Sequence, residues 1–340
     1  MNIDSNPDNA DWLQIMRAKR IAEQIPNGKQ IWEAALREAN GSKSGALMAF
    51  YNLLSEAGVD YEAYLKGLHP PNNPRIKGDG FMSISDHFLK LGAKAQEGSK
   101  PRCHLLTHGG KREVAQRLAQ LITGVGTVNC TDRWMPVGFD EITEAELDKA
   151  ENLLGKEHRD ELRNWWLKAG GPKTRTPNWD IVSTCTVNGK KGFLLIEAKA
   201  HVNELKNEVK GKQLESNASP NSKLNHKNIG ICIDVASKEL SYATKQCWNL
   251  SRDSHYQMAN RFAWAWKLTQ LGYPVILVYL GFLQANEMKI PFNEERSWSE
   301  EVFNHSKPLF PQQIWGLELS VNGQSFIPLI RTSKQKLELS

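Results

Sequence analysis

The stretch PNWDIVSTCTVNGKKGFLLIEAKAH, Pro177 to His201, decides the fold. Two strand-like runs, Trp179 to Val187 and Gly192 to Lys199, flank Asn188-Gly189. Asn-Gly is the strongest short-range signal for a two-residue hairpin, because both turn positions need positive φ. Phe193 to Ile196 are four bulky apolar residues in a row, as a central strand requires, yet Glu197 and Lys199 follow on the same run. A charge on a core strand costs several kcal/mol unless it is paired, hydrogen-bonded or holding a metal. Register suggests the reason. If Val187 faces Lys190 across the turn, Asp180 faces Glu197, and opposed residues share a face with β-carbons about 4.5–5.5 Å apart. Lys199, two residues beyond Glu197, lies on that face too. One end of one hairpin thus gathers two carboxylates and an ammonium.

The elements on either side indicate a mixed α/β protein. Before residue 98 the chain reads as helices: residues 10–25, 28–40, 42–58 and 60–68 each carry apolar side chains at three- and four-residue spacing. A proline- and asparagine-rich loop, His69 to Gly80, and a helix over Ser83 to Ala95 lead to EGSKPR, which marks a boundary between a helical domain, 1–98, and an α/β domain, 99–340. In the second domain the pattern predicts helices over Lys111–Ile122, from Thr143, over Lys156–Ala169 and over Asp253–Leu271. It predicts strands near Thr127–Cys130, over IGICIDVA (229–236) and over Val275–Phe282, and a hairpin around Asn322-Gly323. The polar segment His201 to Asn228, with lysines at 206, 210, 212, 223 and 227, reads as a loop over the active face.

Composition sets outer limits. The 340 residues are 40% hydrophobic and 24% charged, an ordinary globular balance. The longest apolar run, PVILVYLGFL from Pro274, is far short of the roughly 20 residues of a membrane helix. The opening MNIDSNPDNADW is acidic and polar, unlike a signal peptide. Five scattered cysteines without a CxxC pair fit a reduced, cytoplasmic protein. The net charge of +5 is a mild basic excess, compatible with a nucleic-acid partner.

Two carboxylates on adjacent strands can hold a hard cation such as Mg²⁺ through oxygen, with water completing the shell. Such a metal activates water and stabilises charge on a phosphate oxygen. A neighbouring lysine can orient that water, help take its proton or hold the phosphate.

PNWD followed by IEAK resembles the PD-(D/E)XK nuclease signature: Asp180, sixteen intervening residues, then Glu197-Ala198-Lys199, with Pro177 three residues ahead of the aspartate rather than adjacent. The resemblance covers roughly the last two-thirds of the chain. It implies a restriction-endonuclease-like core of a helix, a strand meander, a helix and another strand, and hydrolysis of DNA phosphodiester bonds to 5′-phosphate and 3′-hydroxyl ends. It further implies Mg²⁺, replaceable by Mn²⁺, held by Asp180, Glu197 and the Ala198 carbonyl, with Lys199 as the catalytic lysine. Family members often add a glutamate from the preceding helix. Glu157 and Glu161 are the candidates, and Glu161 borders the apolar stripe of Leu154, Leu162 and Trp165 and is preferred. A defence role against foreign DNA and a homodimer are expectations by analogy.

Other residues are candidates of lower rank. His201 shares the face of Lys199 if the strand continues and is a candidate for phosphate contact, against a solvated strand end. Glu204 reads as a surface acid. Gln257, Asn260 and Arg261, with Tyr256, are candidate substrate contacts from the helix over 253–271, whereas Trp264 and Trp266 read as core. HGGKRE (108–113) lacks the first glycine and the Ser/Thr of a phosphate loop. The rival reading is a non-catalytic nucleic-acid-binding or interaction protein that works through its N-terminal helices.

Overall fold

The computed structural model describes residues 28–39, 43–56, 97–171 and 174–337, together with Ala18 and Ala22. The chain divides into two units, Met1–Ile84 and Ser85–Ser340, earlier than the boundary after residue 98 drawn from the sequence. In the first unit, α1 (Gly28–Glu38) and α2 (Lys43–Glu56) pack through Trp32 and Ala35 against Phe50 and Leu54, with Ala18 and Ala22 in the same core. Trp32 meets Phe50 edge-on at 5.2 Å. The helices expected over 60–68 and 83–95, and most of that over 10–25, lie outside the described residues.

The second unit runs through α3 (Ser99–Thr107), α4 (Lys111–Leu121), β1 (Trp134–Met135), β2 (Ala145–Glu146), α5 (Lys156–Trp166), β3 (Asn178–Trp179), β4 (Ile181–Val187) and β5 (Lys190–Lys199). It continues through α6 (Val202–Lys206), a 3₁₀ turn (Asn207–Val209), α7 (Pro220–Thr244), α8 (Tyr256–Gln270), β6 (Val275–Phe282), α9 (Glu295–Ser306), β7 (Leu319–Val321) and β8 (Gln324–Ser333). Six strands form one mixed sheet in the order β1-β4-β5-β6-β8-β7. β4 and β5 are antiparallel with Val187 opposite Lys190, the register that Asn188-Gly189 predicts, and both turn residues have positive φ. β5, β6 and β8 are parallel, so each connection must cross over: α7 and α8 lie between β5 and β6, and α9 between β6 and β8.

Both faces of the sheet are covered. Phe193, Leu195, Leu277 and Tyr279 pack with Ile233, Leu240, Phe262 and Trp264 of α7 and α8. Leu194, Ile196, Ile276 and Val278 pack with Leu106, Val114 and Leu118 of α3 and α4. Strands buried on both faces read as continuous apolar runs, which is why β5 and β6 show no alternation. α9 settles on β6 at Gly281, where a β-carbon would stand 2.6 Å from the Trp298 ring.

Three sequence expectations are corrected. No helix starts at Thr143: Ala145 and Leu147 are buried at period two, and Ala145 pairs with Trp179. IGICIDVA is not a strand, and the lysine-bearing segment is a loop only between Lys210 and Ser219: it opens with α6 and the 3₁₀ turn. Its end and IGICIDVA belong to α7, a 25-residue helix opened by the Ser219 cap and Pro220. Ile229, Cys232, Ile233, Ala236 and Leu240 recur at helical spacing on its buried face, and the exposed Ile231 and Val235 had mimicked strand alternation. The run near Thr127 contributes a single bridge to Thr186. Among the described residues no helix is long and apolar enough to cross a membrane.

Candidate active site

The β4–β5 ladder ends at Ile181 opposite Ile196, and Asp180 stands one residue before β4. Its carboxylate reaches across the strand end, where Oδ2 accepts the Ala198 N–H at 2.7 Å. A strand residue directs its N–H and C=O to the same side, so the Ala198 carbonyl is presented at the edge beside Asp180.

Glu197 is the electrostatic centre, and its side chain is 1% exposed. Lys199 and Gln257 both donate to its Oε1. Arg261 Nε donates to Oε2 at 2.5 Å. The same guanidinium reaches the Asn178 carbonyl at 2.7 Å and Asn260 Oδ1 at 3.1 Å, and it lies 4.4 Å over the Trp179 ring. Gln257, Asn260 and Arg261 come from the first two turns of α8 at spacings that share one face. Arg261 therefore binds β3, β5 and α8 together at the carboxyl end of a parallel strand. Lys199 Nζ has a second anion, Glu208 of the 3₁₀ turn, at 2.6 Å. Glu208 in turn lies 3.6 Å from His305 Nε2 of α9, whose ring stands 4.8 Å from that of His255.

These contacts set the protonation states. Burial, and then the neighbouring charge of Glu197, push the Asp180 carboxyl up to about 8, against the pull of Lys199 and the Ala198 N–H. Burial alone would lower the Lys199 ammonium, but Glu197, Glu208 and Asp180 outweigh it and raise its pKa above the usual lysine value. These neighbours favour the ammonium form of Lys199, which can hold a phosphate or orient water.

Asp180 opens into a cleft of about 480 Å³ whose walls include Arg175, Asn178, Lys212, Tyr256, Gln257 and Asn260. Lys212 Nζ rests 4.8 Å from the Tyr256 ring centre, and burial lowers its pKa. Glu144 also borders the cleft, held by Lys100 at 2.9 Å and by the Asn178 amide at 3.1 Å.

Among the described residues no group of three His, Cys, Asp or Glu side chains is arranged as a metal cage. The donor set here is smaller: Asp180, Glu197 and the Ala198 carbonyl. Mg²⁺ accepts so few protein oxygens because it keeps several waters. Charge also fits. Asp180, Glu197 and Glu208 against Lys199 and Arg261 leave one net negative charge when Asp180 is ionised, so a dication and one phosphodiester bring the cluster to neutrality.

Of the residues singled out in the sequence, Asp180, Glu197, Ala198, Lys199, Gln257, Asn260 and Arg261 come together. Glu161 does not. It is largely exposed and pairs with Lys267 at 2.7 Å, six residues beyond Arg261 toward the far end of α8, about 9 Å along the helix axis. Glu157 is exposed on the same helix as Glu161. His201 leaves the strand to bridge Pro291 and stands 3.9 Å from Glu204. Glu204 itself accepts from the Ala200 N–H at 2.6 Å and the Ser99 hydroxyl at 3.2 Å, tying β5 to the start of α3. Trp264 and Trp266 are core, 0% and 3% exposed.

No protein-family profile, curated protein or solved structure matches the chain.

Glu208, His305 and Glu144 were not singled out from the sequence. Glu208 looks there like one more charge in a lysine-rich polar run. His305 lies 97 residues further on, and no spacing rule links the two.

Proposed function

We propose that the second unit is a metal-dependent nuclease with a restriction-endonuclease-like core, and that its substrate is DNA. The observation that carries this reading is the meeting of Asp180, Glu197 and Lys199 where β4 and β5 part, beside a cleft walled by amides and cations. The element order supports it: β1, β4 and β5 form an antiparallel meander, and crossover helices return the chain to the parallel strand β6.

Asp180, Glu197 and the Ala198 carbonyl would hold the Mg²⁺ ion. When bound, the ion supplies Lewis acidity and an activated water. The chain's own groups do the rest. Arg261 and Gln257 hold Glu197 in one orientation. Lys199, favoured as an ammonium by its carboxylate neighbours, neutralises charge on the phosphate oxygens. Lys212 and Arg175 bring positive charge to the cleft mouth, and Asn178 and Asn260 offer amides to the strand.

One observation favours the rival, non-catalytic reading: both oxygens of Glu197 already have protein donors, as in a purely structural ion cluster. Plasmid cleavage with Mg²⁺ or Mn²⁺ separates the two. The nuclease reading expects nicking by wild type that Asp180→Asn and Lys199→Met abolish. Equal activity in all three, or none in wild type with either ion, refutes it.

A further inference from the structure

We infer that Glu208 is a positioning residue for Lys199, backed by His305, in the hydrolysis proposed above, on which this inference rests. Glu208 is 5% exposed, and it enters the site from the short 3₁₀ turn after α6. A carboxylate that deep costs several kcal/mol unless a cation meets it. Lys199 at 2.6 Å is the cation that does so, and His305 Nε2 stands by the other oxygen at 3.6 Å.

The arrangement has a use for a lysine that arginine would not need. The ammonium sits on a flexible four-carbon stem with three rotatable donors, so one contact leaves it free to swing. Glu197 accepts one N–H from its own strand, and Glu208 pairs with the ammonium at 2.6 Å from a separate element. An ammonium has three donors, so capacity is left for the substrate. The groups around this pair are Glu197 of β5 with Asp180 beside it, Gln257 and Arg261 of α8 through Glu197, Tyr279 of β6 opposite Glu197, and His305 of α9 with His255 behind it. Asp180 and Glu197 act on Lys199 from the β4–β5 hairpin, and Glu208 is the carboxylate that meets it from a separate element.

The test uses the full chain in three forms: wild type, Glu208→Gln and Glu208→Asp, with His305→Gln as a milder fourth. Circular dichroism and thermal melting identify any variant that fails to fold. The first readout is plasmid nicking with Mg²⁺. Glu208→Gln is expected to lower kcat by roughly 10–100-fold, the range for residues that hold a catalytic group in place. KM and the Mg²⁺-induced rise in melting temperature should stay near wild type. Glu208→Asp should recover part of the loss, and His305→Gln should fall between.

The second readout needs no cleavage. Trace acetylation followed by peptide mass spectrometry measures the reactivity of Lys199 Nζ, which should rise several-fold in Glu208→Gln. Raised labelling with no cleavage by wild type would uphold the positioning and refute the nuclease reading. Unchanged labelling in a folded Glu208→Gln, or loss of the Mg²⁺ shift together with kcat, overturns the inference.

Discussion

Asp180→Asn should alter stability in a pH-dependent way that follows from its surroundings. The carboxyl is pushed from an ordinary value of 3.8 to about 8, by burial first and Glu197 second. Between those two values the folded protein keeps a proton that the unfolded chain has lost. Stability therefore falls by about 1.4 kcal/mol per pH unit across this window and is level above it. Asparagine is similar in shape, can accept the Ala198 N–H, and carries no such slope. Urea unfolding followed by tryptophan fluorescence, with eleven tryptophans in the chain, measures both proteins at pH 5, 7 and 9. The gain of Asp180→Asn over wild type should widen by about 3 kcal/mol from pH 5 to 7 and by about 1 kcal/mol more by pH 9. The first unit is identical in both proteins and cancels from the difference. Added Mg²⁺ should raise wild-type stability most at high pH, where Asp180 is already ionised, and leave the asparagine variant unmoved. Parallel stability curves for the two proteins would show that Asp180 is not held protonated, and the electrostatic account of the site would fail.

Arg261→Met leaves Glu197 buried without its guanidinium and should cost about 3–5 kcal/mol in urea unfolding. Arg261→Lys should not restore it, because one ammonium cannot also serve Asn178 and Asn260; a cost under about 1 kcal/mol would contradict this. Lys212→Gln should reduce the salt dependence of DNA binding by about 0.9 in the log–log slope while kcat holds, and an unchanged slope removes Lys212 from the phosphate path. Glu161→Gln should nick plasmid at the wild-type rate and shift stability by no more than about 1 kcal/mol, since its partner Lys267 lies away from the cleft. A large loss of cleavage would return Glu161 to the site.

Much of the sheet could be read in local sequence. Asn188-Gly189 and Asn322-Gly323 each impose positive φ at two successive positions, so both hairpins and the register of β4 on β5 follow from near neighbours. The same register placed Asp180, Glu197 and Lys199 together, because period two leaves no freedom once the turn is set. α7 was missed where short-range pattern is ambiguous: alternation in IGICIDVA competes with helical spacing, and only packing against the sheet chose between them.

The rest of the site depends on distance along the chain. Arg261 reaches Glu197 across 64 residues, and His305 reaches Glu208 across 97. No local rule relates such positions, because they meet only after parallel strands have been joined by crossover helices. The sequence by itself determined the hairpin and the face on which its charges fall, since turn geometry and the pleat act over a few residues. Only the tertiary structure decided that α8 and α9 would enclose those charges, that Glu161 would pair elsewhere, and that Lys199 would be held between two carboxylates. Burial, which sets the cost of each charge and therefore its partners, is a property of the packed layers.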